Sequence, residues 1–415
     1  MNRARRILGP AVVPALAIVS AFIVGSIFIL ITDFTNLQRL GTDPIGAIGS
    51  AAGGVVAAYQ AMIVGAFGDP ARIVAAIQGG TPRQIAGAIR PLTETLVAAT
   101  PLIFTGLAVA IAFRTSVFNI GVEGQFILGA FGSTVGLLLL QDLPAPIPLL
   151  GAIVAGVLTG ALWGFIPGFL KARTGAHEVI TTIMLNYVAI QVVLFGLRSD
   201  FLRQEGSSQP ISKVLTPIAR VPGILDPFGI PSIRLHYGFV LALVMAVVVS
   251  WFLFKTTKGF ELRAAGFNLT AARYAGMSAS GSIILAMTLS GGLAALGGSM
   301  EVLGTVPQMS NDISSGFGFN AIALALLAGN RPFGIVLAAL LFGALRTGGG
   351  LMQVQTGIPL DLLFFIQALV IMFVAAPGLI RAIWRVDPRK KAADTPDTPT
   401  TPAKPDAPTP EGSAA

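Results

Sequence analysis

Apolar runs close to the length of a bilayer-spanning helix recur along this chain, separated by short polar segments. Charge-free runs cover residues 7–32, 96–113, 126–140, 147–170, 179–197, 237–254, 275–300 and 362–380. Each approaches the ~20 residues that a helix needs to cross a bilayer, given uncharged ends and some tilt. Two shorter runs, 313–330 and 332–345, are divided by Arg331 and Pro332 and read as two short spans. The pattern predicts an all-α polytopic membrane protein with about ten transmembrane helices.

Composition agrees and narrows the chemistry. Of 415 residues, 54% are hydrophobic and 11% charged, and the mean hydropathy of +0.79 lies far from that of a soluble domain. A net charge of +8 would suit nucleic acid, but the basic residues sit in short segments between apolar runs rather than along one face. Nucleic acid is therefore not an expected partner; the lipid bilayer is. Cysteine is absent, which excludes disulfides, thiol chemistry and Cys-ligated metal. Two histidines, His177 and His236, leave no His-rich metal site, and His177-Glu178 has no second His four residues on to complete a zinc motif.

The same basic segments set the orientation. Arg3, Arg5 and Arg6 precede a first run, 7–32, too long for a signal peptide and suited to a retained span with its amino terminus inside. The loops at Lys171 and Arg173, at 255–273 and at Arg331, and the tail 381–391, then fall on the cytoplasmic side, so both termini are expected there. Residues 45–68 are uncharged and long enough to cross, yet a span there would place the 255–273 loop outside. An outer amphipathic or re-entrant segment is expected instead. The membrane domain thus covers 1–386 with a core at 91–380, and the Pro/Thr-rich residues 387–415, lacking large apolar side chains, are expected to be a disordered cytoplasmic tail.

Two pairs of stretches suggest an internal repeat. Residues 119–132 followed by 151–164 loosely match 316–329 followed by 334–348. In the expected topology the first pair starts on the inner side and the second on the outer, as in two halves of five spans in inverted orientation. Small residues at three- and four-residue spacing over 151–164 would let helix backbones approach closely.

Polar groups inside apolar runs mark the candidate sites. Residues 114–130, RTSVFNIGVEGQFILGA, gather Asn119, Glu123 and Gln125 among three glycines. Gly121 and Gly124 would permit a broken helix whose freed backbone groups meet a polar solute. Glu123 could equally hold the start of the helix through Arg114 or backbone amides. The matching stretch puts Phe317, Phe319 and Asn320 beside glycines, a combination suited to a ring-bearing polar molecule or to plain helix contact. Asn186, two turns into an apolar run, must bond a neighbouring helix or line a cavity. In the loop 255–278, Asn268 can cap a short helix that Gly276 closes, with Arg263 and Arg273 flanking it. That loop is either an ordinary basic inner loop or a rigid peg for a partner that does mechanical work. No lysine follows a glycine, so there is no GxxxxGK[ST] nucleotide loop, and embedded acids for a proton relay are scarce. An external ATPase remains as the source of energy.

TPLIFTGLAVAIAFRTSVFNIGVEGQFILGA, HEVITTIMLNY, ELRAAGFNLTAARYAGMS and GFGFNAIALALLAG together resemble the inner-membrane permeases of ATP-binding-cassette importers for nucleosides, within the group that also serves ribose, other simple sugars and branched-chain amino acids. The resemblance covers most of 91–378. It implies a permease subunit without covalent chemistry of its own. Its implied partners are a second permease subunit (identical or different), ABC ATPase subunits that hold the ATP and Mg, and an extracytoplasmic solute-binding lipoprotein, at a bacterial inner membrane. It makes Asn119, Glu123, Gln125, Asn186, Phe319 and Asn320 candidates for the solute path. Glu261, Arg263, Gly266, Asn268, Arg273, Tyr274 and Gly276 become candidates for the ATPase-coupling element. Thr115, Ser116, His177 and Asn320 depart from the residues usual in the family and bear on solute choice. The alternative is an ion-coupled secondary transporter or channel.

Overall fold

The computed structural model describes residues 2–32, 38–39, 41–216, 220–230 and 233–385. The expected tail 387–415 and the side chains of Arg3, Arg5 and Arg6 lie outside the described residues. The architecture is all-helical: α1 (Asn2–Thr32), α2 (Pro44–Phe67), α3 (Pro70–Ile77), α4 (Pro82–Arg114), α5 (Val122–Leu140), α6 (Ile147–Thr174), α7 (Glu178–Leu197) and α8 (Gly238–Lys255) form the first part. They are followed by α9 (Thr257–Phe267), α10 (Leu269–Tyr274), α11 (Ala279–Met300, prolonged by a π-helical turn Glu301–Thr305), α12 (Phe317–Leu327), α13 (Pro332–Thr356), α14 (Leu360–Ala375) and α15 (Pro377–Ile383). Among the described residues nine helical segments are long and apolar enough to cross a membrane, and α14 with α15, bent by 92°, makes a tenth.

The number agrees with the sequence pattern but the membership differs in two places. The run 313–330 yields only α12, eleven residues and about 16 Å long, too short to cross. Ser315 and Gly316 both take positive φ there (45° and 77°), which no continuing right-handed helix accommodates. Residues 45–68, expected as an outer amphipathic or re-entrant segment, form the unbroken helix α2, capped by Asp43, whose side chain accepts from Gly46 N at 3.0 Å, with Pro44 in its first turn.

Even so, α2 does not reverse the topology. Arg114, at the carboxyl end of α4, donates from Nε to the Asn330 carbonyl at 3.1 Å, beside the start of α13. The three-residue turn after Thr356 makes α14 antiparallel to α13. Along α1, Gly25 then Phe28 meet Ile366 then Phe365 of α14, so α1 is antiparallel to α14 in turn. Hence α1 leaves the face that carries Arg114 and α4 returns to it.

One end of the bundle is basic. The guanidinium groups of Arg114 and Arg263 share the Phe254 ring at 5.5 and 5.2 Å, and Ala172, between Lys171 and Arg173, packs on Ala112, Val117 and Ile283 of the same end.

At the centre α4 and α11 run antiparallel, Ile283 near Ala112 and Gly297 near Phe104. Around them the packing is inverted: α4 rests on α12 and α13, while α11 rests on α5 and α6. Likewise α7 touches α5 and α6 as α14 touches α12 and α13. The inverted repeat read in the sequence therefore appears as an exchange of α4–α7 with α11–α14, and its paired stretches are α5 with α12 and α6 with α13.

Close approach explains the small residues of α6. A Cβ on Gly160 would strike the Gly291 carbonyl, and one on Gly164 the Met287 carbonyl. Gly160→Leu is expected to force α6 off α11 and destabilise the protein by roughly 1–3 kcal/mol through overpacking. Thermal unfolding in detergent checks this, and an unchanged midpoint would contradict the contact.

Candidate functional site

The polar stretch after Arg114 enters the bundle as a broken helix. Ser116 has a positive φ of 53° and Val117 N closes back on the Ala112 carbonyl, so α4 ends and the chain climbs without helical bonds to α5. Its depth follows from its partners. Asn119 donates to Ser290 Oγ at 2.9 Å, and Ser290 donates to the Ala108 carbonyl at 2.7 Å, six residues inside the end of α4. Thr105 Oγ1 lies 3.5 Å from the Phe317 carbonyl at the start of α12, about 14 Å from the Arg114 end. Two half-helices, α5 running outward and α12 running back to the basic face, thus begin near mid-depth.

Glu123 joins them. Its carboxylate accepts from the Ser314 hydroxyl and, at 2.7 Å, from Gly318 N in the first turn of α12. The residue before α12 is Gly316, which has no side chain to cap with, so Glu123 supplies the missing acceptor from another helix. It is 6% exposed, and its negative charge sits between two helix amino termini, where both dipoles favour it. Gly318 is required by this approach, because a Cβ there would collide with the Glu123 backbone.

Asn119, Gln125 and Asn186 complete a closed cluster. Asn119 Nδ2 donates to Gln125 Oε1 at 2.9 Å and its Oδ1 accepts from Gly121 N at 3.0 Å. Asn186 accepts from Gly124 N at 2.9 Å and donates to the Ile120 carbonyl at 3.0 Å. Its amide is thus used on both arms to pin the start of α5 to α7. Of the six residues expected along a solute path, these four come together as a buried bolt. Phe319, 52% exposed, and the half-buried Asn320 lie on the outward side of α12, away from it.

Phe317 connects this bolt to a second group of charges. Its ring lies 5.7 Å from that of Phe126 and 4.7 Å from the Arg346 guanidinium. Beyond Arg346 opens a cleft of about 470 Å³ whose walls include Glu94, Arg234, Glu301 and Arg346. The Arg234 guanidinium engages the Glu94 carboxylate with both Nε and Nη2. Glu301, 8% exposed, sits on the π-helical turn. Sequence reasoning passed over these residues because Glu301 and Arg346 each follow an apolar run and read as its boundary. In the structure the helices continue past them, to Thr305 and to Thr356. A charge directly after an apolar run, at two places in the second half, was the available signal.

At the basic face the segment 255–278 divides into a brace and a knob. Glu261 pairs with Lys258 at 2.9 Å. The Arg263 guanidinium lies 5.2 and 5.9 Å from the Phe254 and Phe260 rings. Gly266 presses on the Arg114 carbonyl, leaving no room for a Cβ, and its own carbonyl accepts from the Ser116 hydroxyl. Asn268 caps α10 by accepting from Ala271 N at 3.0 Å, and Gly276, φ 80°, ends it, as the residue types predict. Arg273 and Tyr274 project outward, joined by Phe267; Tyr274 and Phe267 are 90% and 89% exposed. Phe267 was not among the residues singled out from sequence.

Comparison with known proteins gives this geometry a family context. Residues 92–375 match the model of a family described as branched-chain amino acid transport system / permease component. The chain is 42% identical over 303 residues to the guanosine ABC transporter permease protein NupP of Bacillus subtilis, covering 72% of this chain and 85% of that one. It is 32% identical over 385 residues to the nucleoside ABC transporter permease protein NupB of Lactococcus lactis, covering 92% and 94%. To the glucose ABC transporter permease protein TsgB13 of Haloferax volcanii it is 38% identical over 288 residues, covering 68% and 75%. No solved structure matches the chain.

Proposed function

Because the chain belongs to the family of branched-chain amino acid transport system permease components, we propose that it forms the membrane path along which a nucleoside is imported. It is the permease subunit of an ATP-binding-cassette transporter, a transport component rather than a catalyst. Nucleoside is preferred over sugar because NupP and NupB are named for guanosine and nucleoside, and NupB matches nearly the whole length.

The observation that carries the mechanism is the contact of Ser116 with the Gly266 carbonyl. Through it the knob formed by Phe267, Arg273 and Tyr274 rests on the segment that leads, via Asn119, to the two half-helix starts. ABC ATPase subunits, holding ATP and Mg, dock on this knob; their closure pushes α9 against the α4–α5 junction and tilts the half-helices. Glu261, Arg263 and Gly266 transmit the push rather than meet the ATPase. The basic end faces the cytoplasm of a bacterial inner membrane, with both termini on that side. A second permease subunit shares the path, and the exposed flank of α12 with Phe319 and Asn320 is offered to it or to the solute. An extracytoplasmic solute-binding lipoprotein delivers solute at the opposite face.

Uptake in vesicles tests this reading. Nucleoside accumulation should require this chain, the binding protein and ATP on the ATPase side, and should survive collapse of ion gradients. Accumulation driven by an ion gradient without ATP would establish the secondary-carrier alternative instead.

A further inference from the structure

A second group of charges inside the bundle takes no part in the half-helix bolt or in the knob. Arg346 lies fourteen residues, about 21 Å, along α13 from its basic end, and Glu94 twenty residues, about 30 Å, from Arg114 on α4. Their cleft therefore opens in the half of the bundle away from the knob. Glu94 and Arg234 neutralise each other at its rim. Arg346 and Glu301 feel each other's charge across the cleft without closing an ion pair within 4.0 Å among the described residues; Thr305 bonds the Glu301 carboxyl, while the Arg346 guanidinium lies over the Phe317 ring. A guanidinium and a carboxylate facing one cleft inside membrane-spanning helices, coupled but not in contact, keep free hydrogen-bonding capacity that water or a ligand can take up.

We propose that this cleft is a solute-recognition site of the permease, with Arg346 and Glu301 as its specificity-determining pair and an uncharged nucleoside bearing a ring carbonyl as its ligand. This rests on the transport reading above and adds to it where and by what chemistry the solute is read. At about 470 Å³ the cleft is within the size range of small-molecule sites. The guanidinium edge offers two parallel donors that match a ring carbonyl and its neighbouring acceptor nitrogen, while its face can carry a stacked base. The Glu301 carboxylate accepts from ring N–H groups or vicinal sugar hydroxyls. Arg346 and Glu301 sum to zero, as Arg234 and Glu94 do, which suits a neutral solute, and Arg90 adds one positive charge to the lining. Phe317 belongs both to this cleft and to the first turn of α12, which Glu123 caps. Occupancy is therefore felt at the junction that the ATPase moves.

The test uses the absence of cysteine in the chain. Ala98 lines the cleft, and Ala98→Cys in the assembled transporter gives a single thiol on this chain whose reaction with a small maleimide can be timed. Guanosine should slow labelling, glucose should not, and Arg346→Gln or Glu301→Gln should raise the guanosine concentration for half-protection about tenfold or more. Arg346→Lys, keeping charge without the fork, should be intermediate. Labelling of each variant at the wild-type rate without solute shows that the cleft is still formed. Absence of guanosine protection in a transporter that imports nucleosides overturns the site alone. Absence of both protection and nucleoside import overturns the site and the transport reading together. Protection unchanged in both Gln variants overturns the assignment of the pair.

Discussion

Glu123→Ala is expected to unlock the meeting point of the two half-helices and abolish uptake. The substitution leaves the Ser314 hydroxyl and the first amides of α12 without their acceptor inside the bundle. Each buried donor left unsatisfied costs roughly 1–3 kcal/mol, and the loss of a negative charge between two helix amino termini adds about 0.3–1 kcal/mol for each terminus. The thermal midpoint in detergent should fall well below that of the wild-type protein. Glu123→Gln keeps an acceptor and loses the charge, so its midpoint should lie between the two. A midpoint unchanged in Glu123→Ala would show that the carboxylate does not cap α12.

The second large effect is at the basic face and leaves the fold alone. Phe267→Ala, Arg273→Glu and Tyr274→Ala combined remove the exposed aromatic and cationic groups of the knob, which pack on nothing within this chain's core. Aromatic and Arg anchors at interfaces are worth about 2 kcal/mol or more each, so affinity for the ATPase should fall at least about hundredfold. Uptake should disappear while the thermal midpoint stays at the wild-type value. Arg263→Glu should behave differently: its guanidinium lies between two aromatic rings, with Nε buried and without a hydrogen-bond partner among the described residues. It is expected to lower the midpoint as well as uptake, and co-purification with the ATPase alongside a melting curve separates the two cases.

Much of this arrangement was legible in the sequence for simple reasons. Lipid demands long apolar runs, so the spans and their alternation show in the hydropathy pattern. Capping is local, so Asn268 and Gly276 announced α10 within a residue of its ends. The inverted repeat was readable where close packing constrains composition, in the glycines of α6 that meet α11.

What was not legible depends on distance in sequence. Glu123 read either as a solute ligand or as a group holding a helix start, and its partners, Ser314 and Gly318, nearly two hundred residues away, could not be named from the sequence. Asn186 is likewise consumed by the α5 backbone. Phe319 and Asn320 shared a motif with Phe317, yet helical geometry turns them to the other flank of α12. Arg346 and Glu301 were hidden by the rule that charges end spans, a rule that fails where a helix passes a polar cleft. Parity led to an outer amphipathic or re-entrant segment at 45–68; its form as the single helix α2 was hidden by a run rich in Gly and Ala.

The most direct measurement of the whole account is the accessibility of residue 274. With no native cysteine in the chain, Tyr274→Cys can be labelled with a membrane-impermeant maleimide in intact cells and in inside-out vesicles, with and without the ATPase subunits. Labelling should occur only in inside-out vesicles and should be blocked when the ATPase is bound. Labelling in intact cells, or labelling indifferent to the ATPase, would contradict a permease driven through this knob.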